Sequence, residues 1–185
     1  MYINHMNLRS FIHQKSYEKI VRTVRRHPLT FVPYILTFAV LASVPIIVWW
    51  LLNNAFSAIA GNQTIYILAV LFGSMYYLSL CLFFYSYFTT FYLDMWIITN
   101  DRFIDVRQIS LFARSVSETD LYQIQDVTSE VIGLFATIFH YGDITIQTAS
   151  AVPKFIIRDA KNPHELRQLI LDLATEDKKF HNQTT

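Results

Sequence analysis

The hydrophobic rhythm of the chain changes twice. From His27 to Leu93 no residue carries a formal charge, and apolar side chains follow one another without a polar stripe. Polar and helix-weakening residues interrupt this stretch at Asn53-Asn54 and Gly61-Asn62-Gln63, leaving apolar segments at 30–52 and 64–92. A bilayer core takes about 20 apolar residues as a helix, so each segment is long enough to span. A core helix of a soluble protein would keep a polar face. The pattern therefore predicts a two-helix transmembrane hairpin over 30–93. Pro33 falls in a first turn, where its missing N–H costs little, whereas Pro45 predicts a kink. Ala39/Ser43 and Ala69/Gly73 have the small-xxx-small spacing that lets helices approach closely in lipid. The many rings of the second segment, among them Tyr76, Tyr77, Phe84 and Tyr87, read as interhelix and lipid-facing packing.

After Leu93 short alternating runs replace the continuous apolar ones. Met95 to Ile98, Arg102 to Arg107, Phe112 to Glu118, Ile124 to Val131, Asp143 to Thr148 and Lys154 to Arg158 read as strands. Thr99-Asn100-Asp101 supplies a turn between the first two. Leu134 to Tyr141, between Gly133 and Gly142, reads as a helical turn. Asn162, Pro163 and Glu165 mark a helix start, the carboxylate placed to reach back to the cap. Leu166, Leu169, Ile170 and Leu173 then form one apolar stripe. The predicted fold class is a membrane α-helical hairpin plus an α+β soluble domain. The domain, over 94–176, is an antiparallel β-barrel or roll capped by a C-terminal α-helix, and 177–185 is a polar, frayed tail.

Residues 1–29 complete the organisation as a basic juxtamembrane segment. Ile12, Tyr17, Ile20, Val21 and Val24 gather on one side if Phe11 to Arg26 is helical. That helix would rest on anionic headgroups, with Lys15, Lys19, Arg22, Arg25 and Arg26 as candidate lipid contacts, or pack its apolar face on the soluble domain. Only Glu18 opposes the positive charge from Arg9 to Arg26, and the loop at 53–63 has none. Positive flanks stay inside, which predicts that both termini are cytoplasmic. The polar stretch Met1 to Ser10 lacks the apolar core of a cleavable signal, so the first helix is expected to act as its own insertion signal. Charged residues are 16% of the chain, against about 25% in soluble domains.

Candidate chemistry is sparse. Neither a nucleophile elbow, a zinc-protease helix nor a phosphate-cradling glycine loop is present, and the six histidines lack ligand spacing. Cys81, the single cysteine, reads as a small hydrophobe. No catalytic, cofactor or metal residues are predicted, nor is nucleic-acid binding.

Thr99-Asn100-Asp101-Arg102, Ile124-Gln125-Asp126-Val127, Gly133-Leu134-Phe135, Tyr141-Gly142-Asp143-Ile144-Thr145-Ile146 and Asn162-Pro163 occur in the order of a known family. On these motifs the sequence resembles the bacterial pleckstrin-homology-like domains carried by small multipass membrane proteins. The resemblance implies a fold that binds partners or oligomerises without catalysing, in the bacterial cytoplasmic membrane. The expected function is a membrane-anchored binding or scaffold protein acting through protein partners or as a homo-oligomer. The alternatives are a subunit of a transport assembly and a sensor of anionic lipid.

Overall fold

The computed structural model describes residues 17–55 and 62–184, the side chains as far as Phe180. The chain divides into two compact units. One contains the described residues up to Arg25, 95–106 and 115 onward; the other contains 26–94 and 107–114.

The first unit is the α+β part. Its strands are β1 (Ile20–Arg25), β2 (Met95–Thr99), β3 (Arg102–Ser110), β4 (Ala113–Asp120), β5 (Ile124–Glu130), β6 (Tyr141–Thr148) and β7 (Lys154–Lys161), the tip of β3–β4 belonging to the other unit. They form two sheets, β1-β2-β3-β4 and β5-β6-β7. The expected barrel is therefore not closed: the roll reading holds, with a gap in the hydrogen-bond ladder between β4 and β5. The core fills the space between the sheets with Trp96, Ile98, Phe103, Ile124, Ile144, Ile146, Phe155 and Ile157. Ile97, Ile104 and Val106 form a second buried cluster, so β2 is buried on both faces. That is why Met95 to Ile98 reads as a continuous apolar run and not as an alternation.

β1 corrects the reading of the N-terminal segment. Residues 20–25 are a strand, paired antiparallel with β2 from Ile20↔Thr99 to Arg25↔Met95. The expected amphipathic helix does not exist there; its Phe11 to Ser16 part lies outside the described residues. Val24 joins the core, which realises the competing expectation that this segment packs on the soluble domain. The boundaries 1–29 and 94–176 change accordingly. The domain begins before the hairpin, and the hairpin is an insertion between two neighbouring strands.

Three helical elements complete this unit: a 3₁₀ turn at Leu121–Gln123, the short helix α3 (Leu134–Phe139), in the expected place, and the long helix α4 (Pro163–Thr184). α4 buries Leu166, Ile170 and Ala174, with Leu169 and Leu173 partly buried beside them. Its start is a variant of the expected cap. Asn162 takes a left-handed φ of 50°, its carbonyl accepts from the Leu166 N–H, and its side-chain amide donates to Glu165 Oε2 at 3.2 Å. The helix continues to Thr184, so the tail expected to be frayed from 177 is helical through most of its length. Asp177 and Lys178 contribute to this: Asp177 Oδ2 accepts from the Tyr122 N–H, and Lys178 Nζ donates to the Ile124 carbonyl.

The second unit contains α1 (Val32–Ala55), preceded by a 3₁₀ turn at Pro28–Phe31, and α2 (Gln63–Leu93). Both are long and apolar enough to cross a membrane. At 24 and 31 residues they extend about 36 and 46 Å.

Candidate functional site

The helical pair is joined by rings. Phe31 meets Phe84, Phe88 and Phe91; Tyr34 lies against Tyr87, Phe38 against Phe84 and Trp49 against Tyr66. Pro45 has no N–H to offer the Leu41 carbonyl, and its ring displaces the turn below. The other helix meets that deficit. Tyr76 Oη donates to the Leu41 carbonyl and Tyr77 Oη to the Ala42 carbonyl, both at 2.9 Å. Neighbouring helices commonly satisfy backbone groups that a proline frees within a membrane. The small-residue spacings do not act as expected. Ala39 is exposed, and a Cβ placed on Gly73 would meet nothing within 4 Å. Gly73 and Ala69 instead line an apolar groove of about 820 Å³ beside Pro45, Trp49 and Tyr76.

At the end of α2 sits a buried carboxylate. Asp94 closes the helix, an unfavourable place for an anion because the helix dipole is negative there. Arg26 Nη2 offsets it at 2.6 Å from Asp94 Oδ2, and the guanidinium lies 6.0 Å from the Phe91 ring. The second oxygen, Oδ1, accepts from the Gln108 N–H at 2.7 Å. Gln108 Nε2 in turn donates to the Ser110 carbonyl at 2.6 Å, bracing the turn that follows. Leu111 and Phe112 form that two-residue turn, with Ile109 beside them and Arg107 and Arg114 flanking. Hairpin apices ordinarily hold Gly, Asn or Asp. Here Phe112 is 99% exposed and Ile109 66%. Reading Phe112 as the first residue of a strand hid this feature; an apolar pair between two strands was the available signal.

Of the predicted lipid contacts, Lys15 lies outside the described residues. Lys19 is exposed, and its backbone pairs with Asn100 through both the Asn100 N–H and side chain. Arg25 is half-buried at the end of β1. Arg22 and Arg26 have carboxylate partners within the chain, Glu165 at 3.2 Å and Asp94. The Asn162 amide and then Arg22 hold the Glu165 carboxyl below its ordinary range.

Sequence reasoning also missed a buried ion network. Arg102 presents Nε and Nη2 to the two oxygens of Glu18, at 2.9 and 2.8 Å, and Nη1 to Glu118 at 2.7 Å. The bidentate bond to Glu18 raises the guanidinium pKa further above its ordinary value. Glu18 is fully shielded and Glu118 is mostly in water. The network fastens the segment before β1 to β3.

A second apolar surface lies on α3 and the residue before Gly133. Ile132, Leu134, Phe135, Ile138 and Phe139 are all exposed. A shallow depression next to it is bordered by His140, Asn162 and His164, the last within 3.0 Å of Ser129 Oγ. Among the described residues no three His, Cys, Asp or Glu side chains converge as metal ligands.

A family model described as the bacterial PH domain matches residues 28–174. Among solved structures, the chain is similar to a DUF1696 family protein with a pleckstrin-homology domain from Shewanella loihica PV-4. The two are 14% identical, the match covers 44% of this chain and 70% of that one, and the TM-score is 0.36. No curated protein matches.

Proposed function

Because this chain belongs to the bacterial PH domain family, we propose that it is a membrane-anchored binding module whose domain works on the cytoplasmic face through protein contacts or self-association. The observation that carries the anchoring is the insertion of two charge-free apolar helices between the paired strands β1 and β2. Burial of apolar surface has to come from somewhere, and the outer faces of α1 and α2 remain uncovered by protein. The aromatic residues Trp49 and Trp50 lie toward the loop end and Tyr34 toward the base, as interface belts do. The basic residues Lys15, Lys19, Arg22, Arg25 and Arg26 all precede the hairpin, which supports cytoplasmic termini. Among the described residues of this set, Lys19 is exposed, whereas Arg22 and Arg26 face carboxylates of the chain itself, so Lys19 is a better candidate for anionic headgroups than those two.

Binding, as opposed to catalysis, is supported by the apolar cluster on α3, larger than scattered surface residues account for. A photoreactive side chain at Phe135 in native membranes tests this. The expected product is one defined adduct, either with a second copy or with a single other protein. A spread of lipid adducts alone would contradict the reading. Solute flux through vesicles containing only this purified chain would instead support a transport role.

A further inference from the structure

We propose that the β3–β4 apex is a third membrane contact: Leu111 and Phe112 enter the boundary between headgroups and acyl chains, and Arg107 and Arg114 lie at the level of anionic headgroups. The inference rests on the membrane reading of α1 and α2 and adds a site to it. Three observations lead there. The turn exposes Phe112 almost completely, with Ile109 beside it, at an apex where water-facing hairpins use Gly, Asn or Asp. Residues 107–114 belong to the same compact unit as the apolar helices and not to the unit that holds the rest of β3 and β4. The tie is specific: the Gln108 N–H donates to Asp94, the residue that ends α2. An apex fastened to the end of a spanning helix meets the same interface that the helix end occupies. Its composition, apolar tip and basic shoulders, matches that interface in polarity and in charge.

The occupant is therefore the lipid surface of the chain's own bilayer, and an apex that stays in water is the opposing outcome of the test. The experiment uses the full chain in phosphatidylcholine–phosphatidylglycerol vesicles, with Cys81→Ser leaving a single introduced thiol. A nitroxide is attached at Phe112→Cys in one sample and at Leu82→Cys, on the exposed side of α2, in another. Collision with dissolved oxygen reports lipid, and collision with a nickel chelate reports water. The expected result is loss of nickel collision at both positions, with residue 112 shallower than residue 82. In Arg107→Gln/Arg114→Gln, residue 112 should move toward water while residue 82 stays unchanged. If residue 82 reads lipid and residue 112 reads water, the apex proposal fails and anchoring stands. If residue 82 reads water, anchoring fails and the apex proposal with it.

Discussion

Arg102 illustrates how much rests on single side chains in a small domain. Its guanidinium is shared between Glu18, which has no exposed side-chain surface, and Glu118, which is largely hydrated. Removing one partner of a buried pair costs about 3–5 kcal/mol, because the survivor stays buried without its counter-charge. Arg102→Leu should therefore lower stability by roughly that amount. Adding Glu18→Leu should recover most of the loss. Denaturant unfolding of the detergent-solubilised chain measures both. Glu165 provides a pH-dependent counterpart. Its folded pKa is depressed, so its contribution is complete above the ordinary carboxylate pKa of about 4.3 and is lost as pH falls through the folded value. Arg22→Gln should lower the thermal midpoint at neutral pH. The difference from the parent should close as the solution is acidified below pH about 4.

Among the elements, α1 and α2 test the proline account. Interhelical hydrogen bonds in membranes average about 0.6 kcal/mol and reach about 1.7. Tyr76→Phe should cost an amount in that range. The cost should shrink when Pro45→Ala restores an N–H for the Leu41 carbonyl, which a double-mutant cycle in mixed micelles would read out. Gly142 gives a sharper steric contrast. A Cβ there would run into the Glu130 carbonyl oxygen and lie 3.0 Å from Val131. Gly142→Ala should destabilise by about 1–3 kcal/mol, whereas Gly73→Ala should bring no clash. The helices, six of the strands and the α4 stripe were legible in the sequence because charge and periodicity are local properties. β1 was not. Ile20, Val21 and Val24 suit a helix face as well as a strand, and the partner that decides between them begins at Met95. For the same reason Glu18 read as a lone acid among bases until Arg102 was placed beside it. Part of the basic charge assigned to lipid likewise faces Asp94 and Glu165, which no local pattern pairs with it.

For the whole molecule, the hairpin enters from one strand and returns to its neighbour. Arg25 and Met95 are paired across the ladder, and the next residues inward, Arg26 and Asp94, form the ion pair. Asp94→Asn keeps an acceptor for Gln108 but leaves Arg26 without its anion, and should cost about 3 kcal/mol, near the lower end for a broken buried pair. An inserted hairpin also predicts that Asn-Gly in place of residues 26–94 closes β1 onto β2 as a tight turn. That chain should unfold cooperatively. A fragment starting at Asp94, with the edge of β2 bare, should aggregate. The central claim is an anchored domain with both ends on one side and the loop of the hairpin on the other. Thiol labelling of intact right-side-out membrane vesicles tests it most directly, with Cys81→Ser and a cysteine at Asn62 or at Asp172. An impermeant maleimide should label position 62 before permeabilisation and position 172 only after it. Labelling of position 172 in sealed vesicles, or release of the whole chain by alkaline carbonate, would contradict the account.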